Sequence, residues 1–182
     1  SELDTARAFI RNGAQVSESL ILNQNAPAIE ASLQALARTI DNSQIVVLSG
    51  GFSAGDEPDG SGKFIASVLA NARIQDAILA LLARDGLVLG ICNGFQALVK
   101  SGLLPYGDFR QPQAGDATLA HNRIARHIAR VAHTVIANNH SPWLANFQIG
   151  ELHDVDFSHG EGRFVASPAE LEKQMNKQAD SI

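Results

Sequence analysis

The chain predicts an α/β fold in which a mostly parallel sheet carries helices on both faces. Three observations predict it. Stretches with helical spacing of apolar residues alternate with short apolar runs, and those runs are continuously apolar instead of alternating with polar residues. Two of the runs also end directly in glycine-containing turns. In such a fold ligands sit beyond the carboxyl ends of the strands, and both turns fall there.

Asp4 to Asn12 places Ala6, Phe9 and Ile10 at helical spacing and is stopped by Gly13. Gln15 to Leu22 reads as a strand. Ala28 to Ile40 carries Ile29, Leu33, Leu36, Ala37 and Ile40 along one helical face. Ile45-Val46-Val47-Leu48 is a buried strand that ends at Ser49-Gly50-Gly51. Phe64 to Leu82 predicts one or two helices, broken near Asn71 to Arg73. A strand at Gly86-Leu87-Val88-Leu89 leads into a helix from Asn93 to about Gly102. Pro105 to Gly115 contains two prolines and two glycines and predicts a loop. Asn122 to Ala137 reads two ways. Arg123, Arg126 and Arg130 would align on a helix, whereas Val131, Thr134, Val135 and Ile136 favour a strand. Leu152 to Phe157 predicts a strand, and Glu170 to Gln178 a polar terminal helix. A domain of this kind usually opens on a strand, yet this chain opens and closes on helices. It is therefore expected to be a piece of a longer polypeptide, incomplete at both ends.

The 182 residues suit a single domain spanning 1–182. A net charge of -5 argues against nucleic acid as a main partner, because phosphate binding requires a cationic surface. One cysteine excludes an internal disulfide and suits a reducing compartment. No apolar run approaches the roughly 18 residues of a membrane span. Ser1-Glu2-Leu3-Asp4 lacks the basic start of an export signal, so a cytoplasmic location is expected.

That one cysteine lies in Gly90-Ile91-Cys92-Asn93-Gly94, between the predicted strand and helix. A glycine-flanked strand-to-helix turn exposes its central side chain at the carboxyl edge of the sheet. A thiol at a helix N-terminus also sits in the positive end of the dipole, which favours the thiolate. Cys92 is therefore the candidate nucleophile, and its rival reading is a small buried hydrophobe. Gly50-Gly51-Phe52-Ser53 follows the other strand, so its amides are placed to face a ligand. The rival there is an ordinary strand-exit turn.

A cysteine nucleophile needs a base, usually a histidine oriented by a carboxylate. Of six histidines, His159 sits in a turn-like Ser158-His159-Gly160 segment with Glu161 close by. Sequence proximity is weak support, because such partners meet in space. His153, Asp154, Asp156, His159 and Glu161 are close enough to suggest a metal site. On a strand, however, the two aspartates face away from the two histidines, so no metal is expected. Gly60-Ser61-Gly62-Lys63 is not a phosphate loop, since Phe64 follows the lysine and Asp56, Glu57 and Asp59 precede it. The three arginines from Arg123 to Arg130 read as a solvated or ion-paired face.

Three blocks together carry a resemblance. Gly50-Gly51-Phe52-Ser53-Ala54-Gly55-Asp56, Gly90-Ile91-Cys92-Asn93-Gly94-Phe95-Gln96 and Ser158-His159-Gly160-Glu161-Gly162-Arg163-Phe164 resemble, in order, signature blocks of the glutamine amidotransferase domain of phosphoribosylformylglycinamidine synthase, an enzyme of purine biosynthesis. Asp4 to Phe9 and Ser141-Pro142-Trp143-Leu144 are similar to its first helix and to the stretch before its third block. The resemblance implies a class I glutamine amidotransferase, flavodoxin-like architecture. It implies that Cys92 attacks glutamine, that the amides of Gly51 and Asn93 form an oxyanion hole, and that Gly50, Phe52, Gln96, His159 and Gly160 help hold the substrate. Ammonia would pass to a synthase domain or subunit, where ATP and magnesium are expected; none is implied for this domain. The family's base and its carboxylate belong to a His-Pro-Glu-like motif after the third block, which these 182 residues do not contain. The piece alone is expected to hydrolyse glutamine poorly. Two other readings stay open: a non-catalytic amidotransferase-like docking module, and a different Cys-dependent α/β hydrolase using His159 and Glu161.

Overall fold

A computed structural model describes residues 2–51 and 62–179, which divide into two compact units. The first comprises Ser1–Leu119 and Phe164–Ile182, the second Ala120–Arg163. The fold is mixed α/β.

In the first unit α1 (Glu2–Arg11) carries acidic residues in its first turn and Arg11 in its last, an arrangement that suits the helix dipole. The following segment is not the strand expected at Gln15 to Leu22. It runs as irregular chain with Leu20 78% exposed. Among the described residues the β-favouring composition has no strand to pair with, and the Leu22 amide donates instead to Ser32 Oγ at 3.0 Å. α2 (Ala26–Asp41) begins where Asn25 Oδ1 accepts from the Ala28 amide at 2.9 Å, with Pro27 in the first turn, where it costs no hydrogen bond. Its far end is closed by Arg84, whose guanidinium donates to the carbonyls of Ile40, Asp41 and Ser43 at 2.8, 3.0 and 3.1 Å.

β1 (Ile45–Leu48) and β2 (Leu87–Gly90) form a parallel pair, with Ile45 opposite Leu87 and Leu48 opposite Gly90. Between them lie α3 (Lys63–Leu69) and α4 (Ala72–Ala83), separated by a break at Asn71, whose Oδ1 caps α4. β2 leads through Ile91 and Cys92 into α5 (Asn93–Ser101), then a four-residue turn, α6 (Leu103–Tyr106), interrupted at Leu104. α7 (Pro168–Ala179) closes the unit. The core joins Leu33, Ala37 and Ile40 of α2 to Leu69, Ile74, Ile78 and Leu81 of α3 and α4, and to Ala97 and Leu98 of α5. Val46, Leu48 and Val88 pack on it from one face of the strand pair, while Val47 and Leu89 on the other face lie outside this cluster, and all five are half-buried. Among the described residues, then, the parallel sheet is a single pair with its core on one face.

No single described helix is long and apolar enough to cross a membrane. α3 and α4 would be long enough together, but they meet at 80° and bury Leu69, Ile74, Ile78 and Leu81 in the core.

β3 (Thr118–His121) pairs with β6 (Glu161–Val165), two strands absent from the sequence reading. The second unit is built on β4 (Ile128–Val135) and β5 (Leu152–His159), antiparallel with Ile128 opposite His159 and Val135 opposite Leu152. This resolves the ambiguous segment. The β-branched run is strand, whereas Arg123 and Arg126 lie in the exposed turn before it. Asp154 and Asp156 alternate with His153 and His159 along β5, as a strand requires. Asp154 meets His133 Nδ1 at 2.5 Å across the strand pair.

Candidate active site

Cys92 occupies the turn between β2 and α5 with φ 52° and ψ -108°, a conformation that costs an L-residue energy and is held by its surroundings. Its side chain is exposed. On one side the Ile91 amide donates to the Leu48 carbonyl at 3.0 Å, tying the turn to the end of β1. Inside the turn the Gly94 amide donates to the Ile91 carbonyl at 2.9 Å, and the Gln96 amide to the Cys92 carbonyl at 3.0 Å. Cys92 therefore stands one residue ahead of the first turn of α5, where the dipole is felt most strongly.

Glycines let three backbone segments close on this turn. A Cβ on Gly94 would lie 1.9 Å from the Leu48 carbonyl oxygen, and one on Gly50 would lie 2.7 Å from Cys92 Cβ. The third is Gly62, with φ +73°, where a Cβ would come within 2.6 Å of the Asn93 carbonyl oxygen. Sequence reasoning considered Gly62 only as part of a failed phosphate loop. The sole hint of its packing role was its place directly after Gly60-Ser61, because the contact joins residues 31 positions apart.

The structure thus brings Gly50, Gly51, Cys92, Asn93 and Gln96 together at the carboxyl ends of β1 and β2. Gln96 is buried on α5, one turn beyond the thiol. Asn93 is only 8% exposed, and its side-chain Nδ2 donates to the Gly51 carbonyl. Its Oδ1 lies 3.9 Å from Cys92 Sγ. Phe52, along with the rest of the first block through Asp56, lies outside the described residues. A cavity of about 280 Å³ elsewhere in this unit is lined by Tyr106, Arg110, Gln113 and Thr118 and includes none of the expected site residues. There Arg110 pairs with Asp116 and stacks 3.7 Å above the Tyr106 ring, and this pairing holds the Asp116 carboxyl below the usual aspartate range.

In the second unit His159 is the last residue of β5, and Gly160 alone separates it from β6. His159 packs edge-on to Phe157, with ring centroids 5.9 Å apart. A Cβ on Gly162 would stand 2.5 Å from His159 Cγ, so that glycine cradles the ring. Nδ1 of His159 is buried and has no hydrogen-bond partner among the described residues. Asn122, which sequence reasoning passed over, organises this turn. Its side chain donates to the carbonyls of His159 and Arg126 at 2.8 and 3.0 Å, and its amide to that of Gly160 at 3.0 Å. Its only sequence signal was a turn-forming residue just before a run of arginine.

Residues 1–181 match the family of the CobB/CobQ-like glutamine amidotransferase domain. Similar chains include the phosphoribosylformylglycinamidine synthase subunit PurQ of Rhodopseudomonas palustris, 35% identical over 67% of this chain and 46% of the relative. The PurQ subunit of Rhodospirillum rubrum is 36% identical over 70% of this chain and 48% of the relative. The chain spans about half the length of the curated relatives it matches. A chain in the solved structure of PurLQS from Thermotoga maritima superposes with a TM-score of 0.60 at 26% identity, covering 90% of this chain and 63% of that one.

Proposed function

Because the chain belongs to the CobB/CobQ-like glutamine amidotransferase family, we propose that it is the glutaminase part of a phosphoribosylformylglycinamidine synthase, with residues 1–182 forming one amidotransferase domain. The observation that carries this reading is the exposed thiol on a strained turn, with Gly50, two residues past the end of β1, packed against it. The Cys92 thiolate attacks the side-chain amide carbon of glutamine. The amide C–N bond breaks, the nitrogen takes up the proton that the thiol gave to a base, and ammonia leaves a glutamyl thioester. Water then hydrolyses the thioester to glutamate and restores the thiol. The amides of Gly51 and Asn93 donate to the oxyanion of each tetrahedral intermediate, where charge develops. Gly50 and Gln96, beside the thiol, hold the substrate.

Ammonia passes to a synthase domain or subunit that converts formylglycinamide ribonucleotide to its amidine. ATP and magnesium belong to that partner, and the whole works in the cytoplasm. The relatives named as PurQ and the PurLQS neighbour support the partner assignment.

The test uses the complete natural chain. A chloroketone analogue of glutamine should alkylate Cys92, with chloride leaving as the S–C bond forms, and glutamine should protect it. Cys92→Ser should abolish both the adduct and glutamate release. Glutamate release that survives Cys92→Ser would overturn the reading.

A further inference from the structure

We propose that Asn93 is a positioning residue for the oxyanion site, acting through its side chain in addition to its main-chain amide; this rests on the glutaminase reading above. Gly50 and Gly51 are consecutive, and Gly51 has φ +153°, a conformation open only to glycine at low cost. The peptide between them is the loosest at the site, yet a donor works in catalysis only if it is already aimed at the developing charge. Two anchors bracket that peptide. Upstream, the Leu48 carbonyl accepts from the Ile91 amide at 3.0 Å. Downstream, the Gly51 carbonyl accepts from Asn93 Nδ2. Both anchors belong to the Cys92 turn, so the loose peptide is tied at each end to the nucleophile's own backbone.

The orientation of the Asn93 amide follows from the same contacts. Its nitrogen must face the Gly51 carbonyl, because the reverse would set two oxygens against each other. That leaves Oδ1 toward the thiol, 3.9 Å from Sγ. Asn93 is buried, which keeps water from competing for its side-chain amide. Aspartate has the shape of asparagine but no donor, so Asn93→Asp removes the tie and repels the carbonyl while keeping the volume.

The experiment compares two alkylating agents on the complete natural chain. The thiolate first adds to the carbonyl of the glutamine-analogue chloroketone, giving a tetrahedral oxyanion, and chloride leaves as sulfur moves to the methylene carbon, whereas iodoacetamide reports the thiol alone. Asn93→Asp and Asn93→Ala should each slow chloroketone labelling of Cys92 by about 10- to 100-fold, short of the roughly 10²- to 10³-fold loss of a whole oxyanion donor. The iodoacetamide rate of Asn93→Ala should stay at the wild-type value, which also shows that the turn is folded, whereas the carboxylate of Asn93→Asp, close to Sγ, should slow both reagents by charge repulsion. Chloroketone rates unchanged in both variants would overturn the inference alone. An equal loss with iodoacetamide in Asn93→Ala would also overturn it, by tracing the effect to the thiol. An unlabelled wild-type Cys92 would overturn the glutaminase reading and the inference together.

Discussion

Gly94→Ala sets two known effects against each other with opposite signs. Gly94 lies in the first turn of α5, and replacing an in-helix glycine by alanine favours the helix by about 1 kcal/mol. Against that, the new Cβ would stand 1.9 Å from the Leu48 carbonyl oxygen, 2.6 Å from its carbonyl carbon and 2.7 Å from its Cβ. Carbon and oxygen settle at about 3.3 Å or more, so strand or helix must retreat by about 1.4 Å. Neither gives easily. The clash is with backbone, β1 is in register with β2, and the same Leu48 oxygen holds the Ile91 amide. Overpacking of this kind costs about 3 kcal/mol or more at its upper range. The steric term wins, and the variant should be destabilised by about 2 kcal/mol overall. A shift of that size at the start of α5 also displaces the thiol from the β1 exit, which should slow chloroketone labelling by about 10²-fold. Urea unfolding and labelling rates measure the two consequences. A variant that is more stable by about 1 kcal/mol and labels at the wild-type rate would refute the close approach of β1 and α5.

Arg84→Ala removes the donor to three carbonyls at the end of α2 and should cost about 1–2 kcal/mol in urea unfolding; an unchanged midpoint would show that water replaces the cap. Asp116 is held below its ordinary value, first by the Arg110 hydrogen bond and then by the Gln113 amide. Its contribution is therefore full above the unfolded value of about 3.9 and is lost as pH falls through the lower folded value. The stability gap between wild type and Asp116→Asn should shrink on acidification below about pH 4, and a gap constant down to pH 2.5 would contradict the pairing.

What the sequence made legible was local. Helices with a one-sided apolar stripe, such as Leu33, Ala37 and Ile40 of α2, fell where their spacing put them. So did the strand-turn-helix around Cys92, because a short apolar run, two glycines and a second apolar pattern leave the chain one economical path. Legibility failed where pairing decides. Gln15 to Leu22 has strand composition but no strand beside it among the described residues, and β-propensity expresses fit to a neighbour more than an intrinsic backbone choice. β3 and β6 went unseen for the converse reason: Thr118–His121 is too short to show a period, and Glu161–Val165 opens on the charged and glycine residues of a signature block. Candidate residues could be named from type and spacing. The contacts that hold them could not, since Gly62 against Asn93 and Asn122 against His159 are long-range meetings of residues with no chemical signature.

The glycines at this site create the difficulty that Asn93 resolves. A nucleophile turn pressed against a strand exit demands residues without side chains at Gly50, Gly90 and Gly94, since a Cβ at each would fall within 2.7 Å of another atom. The same absence of side chains gives the backbone freedom that a fixed donor cannot tolerate. Close approach and rigidity therefore have to come from different residues. The first non-glycine residue after the nucleophile is the natural place to restore rigidity: its main chain is already fixed by α5, and its side chain reaches back to the β1 exit. On this account the residue type at position 93 matters even though its main-chain amide would be supplied by any residue but proline, and a variant that keeps the backbone intact still loses alignment at Gly51.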